Sequence, residues 1–229
     1  MITVHSIVRD EEQFVWYSLM SVAPFVEQTI VFLDMNSTDK THEILWRVRK
    51  QIPSVEIHTR TPEKDYKNFG LLRDEQIRMT KTPFFLVVDG DEVYTRAGIE
   101  GLINWARNFP PHKNILNTRI YWFASDRFHI YYSNFTLFSY TGRLMRTKGA
   151  VCEGGHPGEM LYYKHEPRLE FIDPAIVTYH YAYAHDEKHF AKAKHATGVL
   201  EELNSAEIVE FGDVHPEVFD DNFSLCSQK

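Results

Sequence analysis

The sequence predicts an α/β protein with a mostly parallel central sheet and helices on both of its faces. The first half of the chain alternates short apolar runs with amphipathic helical segments, and the apolar runs are continuous. Strands with this continuous pattern are buried on both faces, as in parallel sheets that helices cover on each side. The second half is rich in aromatic and turn residues, so we expect it to be more irregular.

The first half contains four predicted strands, each followed by a predicted helix. The apolar runs are at about 2–8, 30–33, 55–57 and 84–88. Apolar positions three and four residues apart indicate helices at about 15–22, 44–52, 67–81 and 99–106. Thr38 or Asp39 is placed to cap the start of the second helix.

The second half begins with short strand-like pieces between 115 and 183, including a glycine-rich stretch. An amphipathic helix is predicted at about 186–203, and the tail beyond 211 has no regular pattern. No repeat or low-complexity linker divides the chain, so we expect one domain over 1–229. We expect 1–95 to bind a nucleotide or other cofactor and 96–229 to supply the site for the second substrate.

Composition excludes several classes of protein. The formal net charge of -7 argues against a general nucleic-acid binder. Two distant cysteines exclude a disulfide scaffold and a cysteine zinc knuckle. No apolar stretch is long enough to span a membrane, and the N-terminal residues turn acidic too early for a signal peptide. We therefore expect no transmembrane segment and a cytoplasmic location.

Acidic residues follow two of the predicted parallel strands. Asp34 ends the second apolar run, and Asp89, Asp91 and Glu92 follow the fourth. Ligands bind at this edge of open α/β sheets. Three carboxylates in four residues repel one another, and a cation such as Mg²⁺ or Mn²⁺ relieves that repulsion. The alternative is a simple turn at Asp89, but too few residues precede the next helix for a returning hairpin strand.

Four segments of the first half resemble the inverting family 2 of glycosyltransferases, whose fold is the Rossmann-like GT-A fold. DMNSTDKT at 34–41 is similar to the family's D-D-G-S-T-D-G-T signature. VRDEE at 8–12 resembles its "hxNEE" element, and LRD at 72–74 its "xRN" element. VDGDE at 88–92 resembles the "DxDE" form of its DXD motif. The four segments occur in the family's order.

The chain departs from the family's pattern at several positions. Asp10 and Asp74 replace asparagines, and Met35 and Asn36 replace an Asp-Gly pair. These departures affect the expected details of donor binding more than the class of enzyme.

The resemblance implies a nucleotide-diphosphate sugar as donor, most commonly a UDP-sugar. It implies the following nucleotide-binding residues: Val8, Arg9, Glu12, Asp34, Arg73 and Asp89. Among these, Asp34 would contact the uracil or ribose, and Asp89 would lie near the ribose. Asp91 would be the main ligand of a Mn²⁺ or Mg²⁺ ion, with Asp89 as a further ligand.

The second half has a weaker resemblance to the branch that builds lipopolysaccharide cores. GGHPGE at 154–159 resembles that branch's "VHE" element, and TYHYAY at 178–183 resembles "hxHYxY". The resemblance implies that Glu159 is the general base, with Glu153 as the alternative, and that His180 is a third metal ligand. Glu159 could equally be a solvated acid, and His180 a histidine packed between tyrosines. The acceptor could be a glycan, lipid, protein or small molecule.

Two other classes of function stay open at this stage. A nucleotidyltransferase or other nucleotide-sugar-binding enzyme could share the fold and the acidic site, but it ordinarily has a phosphate-binding loop near the N-terminus. A non-catalytic binding module is the second alternative. HDEKH at 185–189 is similar to the zinc-protease H-E-x-x-H pattern. With aspartate at the glutamate position and twelve histidines in the chain, we interpret it as a helix start.

Overall fold

The computed structural model describes residues 1–61, 67–123, 129–132, 140–154, 160–164, 167, 169–181, 207–210 and 216. Its helices are α1 (Val15–Val22), α2 (Thr41–Gln51), α3 (Phe69–Met79) and α4 (Arg96–Arg107), with a 3₁₀ turn at Ala23–Phe25. Its strands in the first half are β1 (Ile2–Val8), β2 (Gln28–Asp34), β3 (Val55–Arg60), β4 (Phe84–Val87) and β5 (Glu92–Val93). The later strands are β6 (Ile115–Trp122), β7 (His129–Tyr132), β8 (Tyr140–Arg146), β9 (Ala150–Glu153), β10 (Met160–Tyr163), β11 (Glu170–His180) and β12 (Glu207–Glu210).

Eight of these strands form one mixed sheet in the order β3-β2-β1-β4-β8-β6-β11-β5. The four strands β3, β2, β1 and β4 are parallel, as predicted. Strand β8 is antiparallel to both β4 and β6, and β5 is antiparallel to β11, whereas β6 and β11 are parallel. The α/β prediction is confirmed, with the antiparallel pairs confined to the side of the sheet that includes the second half.

Helices cover both faces of the parallel strands. Successive residues of a strand point to opposite faces, so each strand packs against helices on both sides. On β2, Val31 and Leu33 belong to the apolar cluster that contains the buried residues of α1 and α2. Ile30 and Phe32 point to the other face and pack with Leu72 of α3. Every residue of β2 is buried, which is why the centre of the strand, residues 30–33, is a continuous apolar run.

At the start of α2, Asp39 satisfies a first-turn donor as predicted, whereas Thr38, the other predicted candidate, does not. The residue before the helix is Lys40, and its side chain makes no capping hydrogen bond. Thr38 is not the cap, because its backbone N–H and its hydroxyl both donate to Asp10 Oδ1, at 2.7 and 3.2 Å. Asp39 Oδ1 accepts from the N–H of Thr41 at 2.9 Å and so satisfies one donor of the first turn. The sequence could not show that Thr38 has a distant partner.

Glycine at position 70 allows α3 to pack directly on β9. The Gly70 N–H donates to the carbonyl oxygen of Gly154 at 2.7 Å. A Cβ added at Gly70 would lie 2.6 Å from the carbonyl oxygen of Glu153, closer than real side chains come. This close approach fixes the position of the β9 end relative to α3.

Two further predictions concern helices. The helix predicted at about 186–203 lies outside the described residues. Within the part of the chain that is described, no helix is long and apolar enough to cross a bilayer.

Candidate functional site

The carboxyl ends of β2, β1 and β4 meet at one edge of the sheet, because these neighbouring strands are parallel. Asp34 is the last residue of β2. The segment from Asp89 to Glu92 follows β4, and we call it the acidic loop. The Val88 N–H donates to the carbonyl oxygen of His5 at 3.0 Å, which extends the pairing of β1 and β4 up to this loop. The two predicted acidic sites are therefore brought to the same edge.

Asp34 lies buried at this edge, with only 2% of its surface exposed. Its Oδ1 accepts hydrogen bonds from the backbone and side-chain nitrogens of Asn36, at 2.8 and 2.9 Å. Its Oδ2 lies 3.7 Å from a guanidinium nitrogen of Arg9, whose side chain is 40% exposed. Arg9 and Asp34 are thus next to each other, as expected for residues that share one binding pocket.

The loop after β1 is joined to the loop after β2 by hydrogen bonds. The Glu12 N–H donates to Asp39 Oδ2 at 2.9 Å, and Glu12 Oε2 accepts from the Lys40 N–H at 3.0 Å. The Glu11 N–H donates to Thr41 Oγ1 at 2.7 Å. The Glu12 carboxylate therefore holds the start of α2. Val8, also predicted at the site, is buried in the core, with 1% of its surface exposed.

Asp89 lies between two arginines. Arg73 Nη2, from α3, donates to Asp89 Oδ1 at 2.6 Å, and Arg143 Nη1, from β8, lies 3.9 Å from Asp89 Oδ2. Arg73 and Asp89, which the resemblance named separately as nucleotide-binding residues, are therefore in direct contact. Both carboxylate oxygens of Asp89 face a cation, so in this arrangement Asp89 points to the arginines.

A cavity of about 270 Å³ opens beside Asp89. It is lined by His5, Arg73, Ile77, Phe85, Val87, Asp89, Ile115, Gly142, Arg143, Met145, Cys152 and Leu161. Its polar groups lie near the acidic loop, and its apolar walls come from the sheet, α3 and the β9–β10 pair. Burial, and secondarily the Arg73 guanidinium, lowers the pKa of His5 well below 6.5.

Glu92 is the most deeply buried acid of the loop, with none of its surface exposed. Its Oε2 accepts from the Asp89 N–H at 2.9 Å, and its Oε1 forms an ion pair with Arg143. Burial raises the pKa of Glu92 to about 7, against the opposing effect of the Arg143 guanidinium.

Asp91 and His180 meet on the adjoining part of the loop. His180 Nε2 lies 3.3 Å from Asp91 Oδ1, and both residues are buried. Burial lowers the pKa of His180, but the effect of the Asp91 carboxylate is opposite and the pKa ends above 6.5. Strand pairing brings the two together, because Glu92 is opposite His180 in the β5–β11 register and the Tyr181 N–H donates to the Asp91 carbonyl at 2.9 Å.

Asp91 and His180 fit a divalent cation as a partial donor set. The Asp91 carboxylate oxygen and His180 Nε2 are 3.3 Å apart, a separation at which one cation can contact both. Across the described segments of the chain, no group of three or more acidic, histidine or cysteine side chains could hold a metal alone. Mg²⁺ is commonly bound by one or two carboxylates together with substrate phosphates, so two protein ligands are compatible with such a site.

The two candidate bases are in different situations. Glu153 is exposed at the end of β9, directly beside Gly70 of α3. Its neighbour Cys152 is buried and lines the cavity, so the two side chains point to opposite sides of the strand. Glu159 lies outside the described residues.

Arg143 is a residue of this site that the sequence analysis missed. It lies 51 residues from Glu92 along the chain, and no local motif connects the two. The one available signal is a charged residue within the strand-like run at 142–145, which is unusual unless the charge is paired.

The chain is similar to one protein family and to several solved structures. The model of glycosyl transferase family 2 matches residues 3–182, and a search of curated proteins finds no match. Among solved structures, residues 1–349 of TarS from S. aureus are 17% identical, with a TM-score of 0.47 and coverage of 64% of this chain and 47% of those 349 residues. Glucosyl-3-phosphoglycerate synthase from Mycobacterium tuberculosis, solved with Mn²⁺, UDP and phosphoglyceric acid, is 14% identical, with a TM-score of 0.41 and coverage of 52% and 43%.

This chain therefore covers less than half of the length of either solved structure. The family match, in contrast, includes all four motif segments and the whole of the site described above, from Val8 to His180. On that match, the chain belongs to glycosyl transferase family 2.

Proposed function

We propose that this chain is a glycosyltransferase that moves a sugar from a UDP-sugar to an acceptor hydroxyl, with divalent-metal assistance and inversion at the anomeric carbon. The observation that carries the proposal is the meeting of Asp34, the Arg73–Asp89 pair and the Asp91–His180 pair at one edge of the sheet in a family 2 chain. The choice of uridine and of inversion rests on the family resemblance. A cytoplasmic location belongs to the same proposal.

Residues 1–95 would hold the nucleotide of the donor. Asp34 has the burial and the neighbouring Arg9 guanidinium expected of a residue that recognises the base or ribose. Arg73 orients Asp89 through a charge-assisted hydrogen bond, so that the two can bind the ribose and phosphate as a unit. Val8 and Glu12 would contribute to nucleotide binding by holding the backbone of the loop after β1 in place. Val8 does so through its packing in the core, and Glu12 through its hydrogen bonds.

Asp91 and His180 would hold Mn²⁺ or Mg²⁺ together with the diphosphate. When bound, the cation would stabilise the negative charge that develops on the departing nucleoside diphosphate. Asp89 was expected to be a further ligand, and its two arginine partners favour a role in ribose and phosphate binding instead.

Residues 96–229 would bind the acceptor and supply the general base. An acceptor hydroxyl is a weak nucleophile until a base accepts its proton, so a carboxylate near the reacting centre is required. Glu159 is the proposed base, and Glu153 is the alternative. The acceptor could be a glycan, a lipid, a protein or a small molecule.

A panel of nucleotides and nucleotide sugars, scored by thermal shift with Mn²⁺ and with EDTA, tests this function. We expect UDP and one UDP-sugar to raise the melting temperature only when Mn²⁺ is present, and that donor to be hydrolysed slowly without acceptor. Stabilisation by nucleoside triphosphates with release of pyrophosphate would instead indicate a nucleotidyltransferase. Binding without any turnover would indicate a non-catalytic module.

The stereochemistry is tested separately once an acceptor is found. An NMR spectrum of the product should show the anomeric configuration opposite to that of the donor. A product with the donor's configuration would exclude the single displacement proposed here.

A further inference from the structure

Arg143 places a buried cation directly behind the acidic loop. It lies on β8, the strand between β4 and β6, and only 7% of its surface is exposed. A buried charge is strongly unfavourable unless it is paired and hydrogen-bonded. Arginine in a central strand therefore requires a specific partner, which the acidic loop provides.

The partners of Arg143 are the first and last acids of the loop. Its guanidinium forms an ion pair with Glu92 Oε1 and lies 3.9 Å from Asp89 Oδ2. Arg73 contacts the other oxygen of Asp89 from the opposite side, at 2.6 Å. Two guanidiniums from two different elements thus pair with two of the loop's three carboxylates, which reduces the repulsion among the three.

Glu92 transmits the position of Arg143 to the rest of the loop. One carboxylate oxygen of Glu92 pairs with Arg143, and the other accepts from the Asp89 N–H at 2.9 Å. The Glu92 N–H donates in turn to the Asp89 carbonyl at 3.1 Å, which closes the turn around Asp91. Glu92 is also opposite His180 in the β5–β11 register. Arg143, Glu92 and the turn therefore define where the Asp91 carboxylate lies relative to His180.

We propose that Arg143 is a positioning residue that, through Glu92, holds the acidic loop in the shape that directs Asp91 toward His180. This inference rests on the proposed function, because it concerns the metal-assisted donor site. The ion pairs of Arg143 are with Asp89 and Glu92, so it acts on Asp91 and His180 through the loop. Removing it takes away the guanidinium that holds one oxygen of Glu92, so the hydrogen bond that Glu92 accepts from the Asp89 N–H no longer has a fixed anchor.

The test compares Arg143→Met with Arg146→Met, a matched change on the same strand. Arg146 donates to the carbonyls of Lys113, Phe109 and Pro110, away from the acidic loop. The measured quantity is the ratio of the UDP dissociation constants in EDTA and in Mn²⁺, determined by calorimetry on the full chain. We expect Arg143→Met to reduce this ratio by about 10- to 100-fold, the usual effect of losing a residue that orients metal ligands.

Arg146→Met should lower the melting temperature but leave the ratio unchanged, because its role is structural. Arg143→Lys should recover only part of the ratio, since an ammonium cannot reproduce the fork that reaches two carboxylates. If Arg143→Met fails to fold, the same ratio is measured in the double variant Arg143→Met/Glu92→Gln, which has no unpaired charge at position 92.

The outcomes separate this proposal from the proposed function. The positioning role is overturned if Arg143→Met keeps the wild-type ratio of UDP dissociation constants. It is also overturned if Arg146→Met lowers that ratio as much as Arg143→Met does. Either result leaves the proposed donor site intact. A wild type whose UDP affinity does not depend on Mn²⁺ overturns the metal-assisted site, and the positioning role with it.

Discussion

Asp10 joins the loop after β1 to the loop after β2, and its substitution offers a quantitative test of how the site is built. Its φ of 55° is in the left-handed region, which aspartate and asparagine tolerate better than other residues with a side chain. Its Oδ1 accepts from both the N–H and the hydroxyl of Thr38, and its own N–H donates to Ser37 Oγ at 3.3 Å. Asp10 thereby connects the Arg9 segment to the loop that follows Asp34.

The expected magnitudes follow from these two features. Hydrogen bonds to a charged group contribute about 1.5–3 kcal/mol, and a left-handed conformation costs most residues about 1–2 kcal/mol. Asp10→Ala loses the first and incurs the second, so its free energy of unfolding should fall by about 2.5–5 kcal/mol. Asp10→Gly loses only the hydrogen bonds and should fall by about 2 kcal/mol. Asp10→Asn keeps an acceptor and tolerates the backbone, so it should stay within about 1 kcal/mol of the wild type.

Urea unfolding followed by circular dichroism measures all three variants. The order of stability should be Asn, then Gly, then Ala. If Asp10→Asn is as unstable as Asp10→Ala, the bonds to Thr38 contribute little and the reasoning is wrong. If Asp10→Gly is less stable than Asp10→Ala, the positive φ carries no strain.

Single residues elsewhere in the chain carry three further predictions. Gly70→Ala should lower the free energy of unfolding by about 1–3 kcal/mol, because the new methyl group would overlap backbone atoms. Gly101→Ala, in helix α4, is the control, because its new methyl group would meet only a side chain, at 3.3 Å. It should change the free energy of unfolding by less than about 1 kcal/mol. Equal losses of stability for the two variants in urea unfolding would contradict the prediction. The pKa of His5 is lower in the folded chain than its unfolded value of 6.5, so its contribution to stability is full above that pH and is lost as the pH falls below it. The loss of stability between about pH 7 and about pH 5 should therefore be smaller in His5→Gln, and an unchanged slope would refute this. Glu159→Gln should lower kcat by about 10²- to 10⁴-fold with normal Mn²⁺-dependent UDP binding, and Glu153→Gln should be mild. The reverse result would assign the base to Glu153, and no effect of either would exclude both.

The parallel half of the fold was predictable because its sequence signals are local. The buried run in β2 and the helical periodicity of α2 each depend on residues within a few positions of one another. The acidic edge was predictable for the same reason, since Asp34 and the acidic loop each follow a buried strand, and the two strands flank β1 in the parallel part of the sheet. The pairing of β8 with both β4 and β6 was not predictable, because its partners are far away along the chain.

Long-range contacts also explain what the sequence analysis missed at the site. The Arg143–Glu92 pair and the Thr38–Asp10 hydrogen bonds join residues that no motif relates. The partner residue in each such contact is placed by tertiary packing rather than by local propensity. His180 and Asp91 are also far apart along the chain and lie close together in the fold, and their assignment as metal ligands stays a prediction.

Metal-dependent cleavage of a UDP-sugar tests the central claim most directly. UDP release is measured from the best-binding donor, with Mn²⁺, with EDTA and with Mn²⁺ restored, in the wild type and in Asp91→Asn. Asp173→Asn is the control, because Asp173 lies on the same strand as His180 but accepts a hydrogen bond from Trp105, at 2.6 Å. We predict release by the wild type and Asp173→Asn only when Mn²⁺ is present, and a rate lower by about 10²-fold or more in Asp91→Asn. Equal release in EDTA, or a wild-type rate in Asp91→Asn, would contradict the account.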